Sequence, residues 1–402
     1  MPYRSRRLTS TRPKRSFSSS PRPQNRGRRG PMKQYIHPSK FVAEARPSVE
    51  MQYTARHTFD DFAVVDLIKK NLAAKGYLTP SPIQDQSIPL ALQGRDIIGI
   101  ANTGTGKTAA FSIPVLNKLI TKQGYGVLVV APTRELAEQI EVELRSIAKG
   151  SGLFGALLIG GSSMGRQLGD LRHKPRVVVG TPGRIKDHLE RGSLNLSHFD
   201  NVVLDEVDRM LDMGFLPDMR FILQKLPAER QSYFFSATFD AKVRSIIDEF
   251  SNDPVTISVK TGDTADNVHQ NIVEYNGKED KIAKLHDALL QSNIENGKFI
   301  VFDDTKHAVE RLGKELVLRG FKAESIHGGK TQGQRQRALR AFKENKISIL
   351  VATDVAARGI DVPDVTHVIN YSTPQTYEDY VHRIGRAGRA GKIGHALTFL
   401  EK

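Results

Sequence analysis

At 402 residues the chain is long enough for two or three domains with ample core in each. Cysteine is absent, which excludes disulfides, cysteine-ligated metals and thiol catalysis and suits a reducing compartment. The formal charge is +15, yet residues 1–40 hold twelve Lys or Arg and no acid, leaving only +3 for residues 41–402. Such an excess belongs to a tail that binds polyanions and loses them with salt. No run of eighteen apolar residues suggests a membrane span, and no apolar core of a secretory signal is present.

Residues 1–48 are read as a basic tail rich in Arg, Ser and Pro, centred on Asn25-Arg26-Gly27-Arg28-Arg29-Gly30. Their apolar surface is too small to offset the entropy of ordering, so disorder is expected. A nucleic-acid-binding arm is favoured over a transit peptide, because Pro13, Pro21 and Pro23 interrupt any amphipathic helix. A solubilising tail without a specific partner is the third reading. Residues 57–85 carry an amphipathic stretch, Val65 to Lys75, then Gly76-Tyr77-Leu78-Thr79-Pro80-Ser81-Pro82-Ile83-Gln84. Pro80 and Pro82 end the preceding helix and are expected to fix an extended turn that presents Gln84. A glutamine amide matches the donor and acceptor of an adenine edge, although after a proline turn it is more often a cap.

A buried strand, Asp96 to Ile100, leads into Ala101-Asn102-Thr103-Gly104-Thr105-Gly106-Lys107-Thr108 and a helical stretch. Strand, glycine turn and helix N-terminus gather backbone N–H groups around one point where phosphate oxygens can sit. Lys107 adds a charge for the β and γ phosphates, and the Thr108 hydroxyl can ligate Mg²⁺. Ala101 stands where the strict pattern has its first glycine, and a small residue suits the same strand exit. Apolar runs then alternate with helical patterns: Gly126–Val130, Phe154–Ile159, Arg176–Val179, Asn201–Leu204 and Ser232–Phe235. This is the pattern of an α/β domain with a mostly parallel sheet covered by helices, assigned to residues 86–258. Residues 259–270 are polar and read as a linker. A second series follows in 271–402: Phe299–Phe302, Ala323–Ile326, Ile347–Val351, Val365–Ile369 and Ala396–Leu400. It has no phosphate loop of its own, which suggests a cleft closed by both domains.

Asp205-Glu206-Val207-Asp208 follows the strand Asn201–Leu204, at the sheet edge where ligands bind in open α/β folds. Asp205 there can hold Mg²⁺, and Glu206 can orient or deprotonate an attacking water. His382-Arg383-Ile384-Gly385-Arg386-Ala387-Gly388-Arg389 spaces three arginines by three residues. That spacing fits a solvated face, a phosphate-backbone patch, or arginine fingers reaching a γ-phosphoryl group.

Together these motifs make residues 55–402 resemble the DEAD-box ATP-dependent RNA helicases of superfamily 2. The resemblance implies two tandem RecA-like domains behind the basic tail. It makes Gly76–Gln84 the Q motif, with Tyr77 and Gln84 at the nucleotide and Phe59 as the upstream aromatic that stacks on adenine. Ala101–Thr108 becomes motif I, and Asp205, Glu206 and Asp208 motif II, with Val207 where the family name has alanine. Ser236 and Thr238 become motif III, linking the ATP and RNA sites. RNA contacts are implied for Pro132, Thr133 and Arg134, for Gly160 and Gly161, and for Thr181, Pro182, Gly183 and Arg184. In the second domain they are implied for Gln332, Arg335 and Thr353, with Asp361 on the ribose and Arg386 and Arg389 as fingers. The implied activity is hydrolysis of ATP with Mg²⁺, coupled to local remodelling of single-stranded and short duplex RNA. The implied setting is a cytoplasmic monomer acting with ribosome-assembly or RNA-decay proteins. A superfamily 2 DNA translocase, an ATP-gated RNA clamp and a tail-driven RNA scaffold are the competing readings.

Overall fold

The computed structural model describes residues 35–46, 53–102, 104–122, 125–259, 266–292, 297–357, 362, 364–388 and 392–402. The first domain opens with α1 (Asp66–Ala74) and α2 (Pro82–Leu92), followed by β1 (Ile97–Ile100), α3 (Lys107–Thr121), β2 (Val127–Val130) and α4 (Arg134–Ile147). It continues through β3 (Gly155–Leu158), α5 (Met164–Arg172), β4 (Val177–Gly180), α6 (Pro182–Glu190) and β5 (Asn201–Leu204). The remainder is α7 (Val207–Asp212), α8 (Leu216–Leu223), β6 (Gln231–Ser236), α9 (Ala241–Phe250) and β7 (Val255–Ser258). The second domain runs β8 (Val268–Tyr275), α10 (Gly277–Gln291), β9 (Phe299–Phe302), α11 (Lys306–Leu318), β10 (Ala323–Ile326) and α12 (Gln332–Lys343). It ends with β11 (Ile349–Ala352), α13 (Asp354–Ala357), β12 (His367–Asn370), α14 (Tyr377–Ile384) and β13 (Gly394–Glu401).

Strands such as Val-Leu-Val-Val, Phe-Ile-Val-Phe and Ile-Leu-Val-Ala are apolar at every position and buried throughout. Runs of that kind suit sheets covered on both faces. Seven strands form the first sheet in the order β3-β4-β2-β5-β6-β1-β7, and six form the second in the order β10-β11-β9-β12-β13-β8. Every pairing between these strands is parallel. Helices on the two faces bury separate apolar clusters, Ile68, Phe111 and Ile140 on one side of the first sheet and Met210, Ile222 and Ile246 on the other. The two-domain α/β expectation is met, and no helix among the described residues is long and apolar enough to cross a membrane.

Three boundaries differ from the sequence reading. β8 occupies Val268–Tyr275, so the last residues of the expected 259–270 linker belong to the second sheet. Its Val-His-Gln-Asn-Ile-Val-Glu-Tyr mixes polar with apolar residues because it is the edge strand, with only part of its surface covered. Gln84 does not sit on an extended turn: Ser81 caps α2, and Gln84 is its third residue in a reciprocal capping box. Disorder through residue 48 does not hold for residues 35–46, which dock on the second domain through a 3₁₀ turn at Pro38–Phe41 and a bridge from Ala43 to Gln270. Phe41 is wholly buried there, and one large ring supplies the apolar area that the tail's average composition conceals. Residues 1–34 and most of the expected linker lie outside the described residues.

Candidate active site and nucleic-acid face

The phosphate loop leaves β1 and turns into α3 through Gly104 and Gly106, at φ 84° and 94°. A Cβ on Gly106 would strike the Gln84 amide and the Ser81 hydroxyl, so the loop needs glycine there for both backbone and space. Ser81 Oγ donates to the Thr105 carbonyl at 2.7 Å and Gln84 Nε2 to the Gly106 carbonyl at 3.0 Å. Gln84 Oε1 accepts from Ser81 N at 2.9 Å. The glutamine therefore reads the loop in this structure. Tyr77 lines the cavity beside the loop, whereas Phe59 is buried against Phe62 and sits edge-on to Tyr77 at 5.5 Å. Phe59 buttresses the cleft wall and does not form it. Ala101 is fully buried, in keeping with a small residue at the strand exit, and Asn102 and Thr105 are joined by a 2.9 Å bond from Thr105 Oγ1 to the Asn102 carbonyl. Thr103 lies outside the described residues.

Lys107 Nζ rests 3.3 Å from the Ala101 carbonyl and 3.9 Å from Asp205 Oδ1, at the end of β5. Burial pushes the Asp205 carboxyl up to about 6, against the pull of Lys107. Glu206 is equally buried, but Arg209, Lys107 and Arg386 outweigh that penalty and hold it below the usual range. Its backbone is left-handed at φ 55°, a costly conformation for a residue with a side chain, and Arg209 Nη1 donates to Glu206 Oε2 at 2.7 Å. Asp208 turns the other way. Its Oδ2 accepts from the N–H groups of Ala237 and Thr238, both at 3.0 Å, and from Thr238 Oγ1 at 3.3 Å. Asp208 N donates to Ser236 Oγ at 3.4 Å. Asp208, Ser236 and Thr238 thus join two strand ends and stand behind the reacting side of the cleft. Val207 is wholly buried beside Leu204 and Met210, which accommodate its two extra methyl groups.

The second domain supplies the opposite wall. A cavity of about 780 Å³ is lined by Lys107, Thr108, Asp205 and Glu206 on one side and by Arg340, Lys343 and Arg386 on the other. Of the three spaced arginines, Arg383 is structural. Its Nε and Nη2 grip Asp354 at 2.6 and 2.7 Å, Nη1 donates to the Ser372 carbonyl at 2.7 Å, and the guanidinium lies 5.1 Å from the centre of the Phe302 ring. Arg386, one turn on, reaches the cavity; Arg389 and Asp361 lie outside the described residues.

Pro132, Thr133 and Arg134 follow β2, Gly160 and Gly161 follow β3, and Thr181 to Arg184 follow β4, so all share one sheet edge. Thr133 Oγ1 caps α4 by accepting from Leu136 N at 3.3 Å. Thr181 and Pro182 start α6, with Gly183 exposed on its first turn. The Arg134 guanidinium lies over the two glycines, so a Cβ on Gly161 would overlap it and one on Gly160 would crowd it. Arg184 Nη1 reaches the Ser162 carbonyl at 3.5 Å, knitting the β3 and β4 loops. Thr353 follows β11, where its carbonyl accepts from Ala356 N and Ala357 N.

Gln332 and Arg335 stand elsewhere. Arg335 Nη2 lies 2.8 Å from Glu135 Oε2, with both side chains buried, and Gln332 Nε2 donates to Glu135 at 3.3 Å and Glu138 at 3.1 Å. They clasp the two domains across α4 and α12. Sequence reasoning placed Glu135 in the motif facing RNA and missed Glu138, because an acid on a surface helix face looks like ordinary solvation. It also missed Arg209, and it gave Ser81 and Asp354 no role of their own. Ser81 alone left a sequence signal, the Ser-x-x-Gln of a capping box.

A DEAD/DEAH box helicase model matches residues 81–246, and a helicase conserved C-terminal domain model matches residues 280–391. The ATP-dependent RNA helicase CshA of Listeria monocytogenes is 46% identical over 347 residues, spanning 85% of this chain and 66% of that protein. The DEAD-box ATP-dependent RNA helicase CshA of Geobacillus kaustophilus is 47% identical over 347 residues, spanning 85% and 73%. Among solved structures, S. cerevisiae Dbp5 bound to RNA and ADP BeF3 superposes with a TM-score of 0.75 at 30% identity, covering 86% of this chain and 90% of that one. Mss116p bound to ssRNA and AMP-PNP superposes with a TM-score of 0.78 at 30% identity, covering 86% and 75%.

Proposed function

Because this chain belongs to the DEAD/DEAH box helicase family, we propose that it is an ATP-dependent RNA helicase that remodels RNA duplexes and RNA–protein complexes. One observation carries the proposal: a single cavity is walled by the phosphate loop and carboxylates of one domain and by Arg386 of the other. Such a site is complete only when the domains are shut, so hydrolysis follows closure. The RNA-bound neighbours share this two-domain arrangement.

The backbone N–H groups of the loop and Lys107 bind and orient the phosphates. Glu206, held ionised by its cationic neighbours, accepts a proton from the attacking water, and Arg386 stabilises charge on the leaving phosphates. Thr108 Oγ1 and the Asp205 carboxylate are hard oxygen donors lining the same cavity, a set that suits Mg²⁺. Among the described residues no cluster of three His, Asp or Glu could hold a metal alone, which fits a cation shared with phosphates and water. When bound, Mg²⁺ neutralises developing charge on the phosphate oxygens. The edge formed by Arg134, Gly160, Gly161 and Arg184 takes the RNA backbone, with small residues allowing close approach. The reading extends to a cytoplasmic monomer acting on single-stranded and short duplex RNA in ribosome assembly or RNA decay, with the family resemblance as its support.

Steady-state ATPase rate with and without single-stranded RNA, with single-stranded DNA as control, tests the proposal. RNA should stimulate and DNA should not, and Glu206→Gln should lose at least about 10²-fold in kcat. Equal stimulation by DNA would replace this reading with a DNA translocase. A strand-displacement assay run beside it separates an unwinder from a clamp.

A further inference from the structure

Among the described residues every phenylalanine but one is buried or half-buried. The exception is Phe154, directly before the edge strand β3, which is 45% exposed and joins neither apolar cluster of the first domain. Its ring meets that of His173, at the C-cap of α5, edge-on with ring centres 5.4 Å apart. Three exposed cations stand on the elements that converge there: Lys122 directly after α3, Arg172 at the end of α5, and Lys174 two residues on. The corner is fixed by backbone bonds. Arg176 N donates to the Phe154 carbonyl at 3.2 Å, and its guanidinium donates to the Tyr125 carbonyl at 2.8 Å and the Lys122 carbonyl at 2.6 Å.

Lys122, Arg172 and Lys174 have no ion-pair partner among the described residues. Comparable cations on the same domain are paired: Lys118 Nζ lies 2.9 Å from Asp200, and Arg191, at the end of α6, lies 2.6 Å from Asp187. Asp170, four residues before Lys174, is half-buried and pairs with none of the three. A cation at a helix C-terminus suits the macrodipole, which accounts for Arg172 but not for Lys122 or the exposed ring. Lys174 has a left-handed backbone at φ 50°, which asparagine or glycine adopts with less strain, so a charge is kept where a turn former would be more stable.

This corner lies at the opposite end of β3 from Gly160 and Gly161. α5 joins the two places: it starts at Met164, three residues after Gly161, and its nine residues cover about 13 Å before Arg172. That distance is roughly four stacked nucleotides at about 3.4 Å each. Cations hold phosphates, and an exposed ring offers a base a stacking surface. An acidic polypeptide would use the charges and leave the ring without a partner.

We propose, on the RNA-helicase reading of the cleft, that Lys122, Phe154, Arg172, His173 and Lys174 form a second site for single-stranded RNA, which holds the strand after it leaves the Gly160–Gly161 edge. Binding of the full chain to oligouridine of about 6 and about 20 nucleotides tests it, the shorter filling only the cleft face. Phe154→Ala and the double variant Arg172→Gln/Lys174→Asn change exposed side chains only, and asparagine keeps the left-handed turn. Each should weaken binding of the long RNA about five- to tenfold, with the short RNA and kcat at saturating long RNA within about twofold of the parent. The double variant should also flatten the slope of log K against log salt by about 0.7 for each phosphate released, which Phe154→Ala should not do. Phe154→Tyr should restore parental affinity, because it keeps the stacking face.

Parental affinity for the long RNA in both variants overturns the site. So does an equal loss on the short RNA, which places the effect in the cleft. Poly-glutamate that binds the parent as tightly as the long RNA, and loses that binding in the double variant, makes the corner an acidic-protein surface and overturns the RNA assignment. A parent that binds neither RNA removes the helicase reading itself, a result distinct from variants that match a parent binding both.

Discussion

Asp205 and Glu206 are neighbours in sequence and opposites in electrostatics. Glu206 has Arg209 at 2.7 Å and is ionised at neutral pH; Asp205 has a more distant Lys107, at 3.9 Å, and the Glu206 N–H, at 3.0 Å, which do not offset its burial. The Asp205 carboxyl is thus raised to about 6, and a proton must leave before a cation can be held there. Affinity for Mg²⁺–ATP should be flat above about pH 6 and fall about tenfold per unit below it, as the protonated fraction rises. Equilibrium titration across roughly pH 5–8 checks this, and Asp205→Asn should bind weakly at every pH with that inflection gone. An inflection retained in the variant would assign the titration to another group. The stability sign is the reverse. A raised acid pKa means that the folded state binds the proton more tightly, so the carboxyl favours folding below its folded value and stability is lost as pH rises through about 6. The site accepts that instability in exchange for a place to bind a cation.

α4 and α12 face each other as an acidic and a basic helix, with Glu135, Glu138 and Glu143 on one and Arg335, Arg340 and Lys343 on the other. The pairing is matched in charge without being saturated. Gln332 Oε1 and Arg335 Nε are buried and make no hydrogen bond among the described residues. An interface with such gaps is well suited to being broken and remade in each cycle, because water recovers those groups when it opens. Removing one partner leaves the other charge buried, at a cost of about 3–5 kcal/mol to the shut form. Glu135→Gln and Arg335→Gln should each raise KM for RNA by about tenfold or more. The double substitution should recover part of that deficit, since no buried charge is then left alone. Strict additivity in the double-mutant cycle would show that the clasp does not couple the domains.

At the scale of the molecule, charge and shape are divided between parts. Residues 1–34 contain eleven Lys or Arg and no acid, while residues 35–46 dock against the edge strand of the second domain. Removing residues 1–34 alone keeps the docked segment 35–46 and discards the charge. RNA affinity should fall at low salt, with kcat at saturating RNA unchanged. The slope of log K against log salt should shrink by roughly 0.7 for each phosphate that the arm no longer neutralises. A salt titration of binding on both forms checks this, and an unaltered slope would mean that the arm does not touch RNA.

The sequence by itself determined the order of the elements and the chemistry of the cleft. β2, β9 and β11 lie where their apolar runs place them, because a strand buried on both faces is apolar throughout and announces itself by composition. The phosphate loop and the Asp-Glu-x-Asp turn were legible because their chemistry is carried by residues close together in the chain. β8 was hidden by its polar edge, and Phe41 by the basic composition around it. Only the tertiary structure decided that Gln84 bonds the loop, that Arg383 holds Asp354 while Arg386 faces the cavity, and that Gln332 and Arg335 clasp Glu135. Each of these is a choice among partners that the spacing of residues along the chain leaves open. A spacing of three arginines is the same text whether a guanidinium turns inward or outward, and the packing of α14 against β12 and Phe302 settles which.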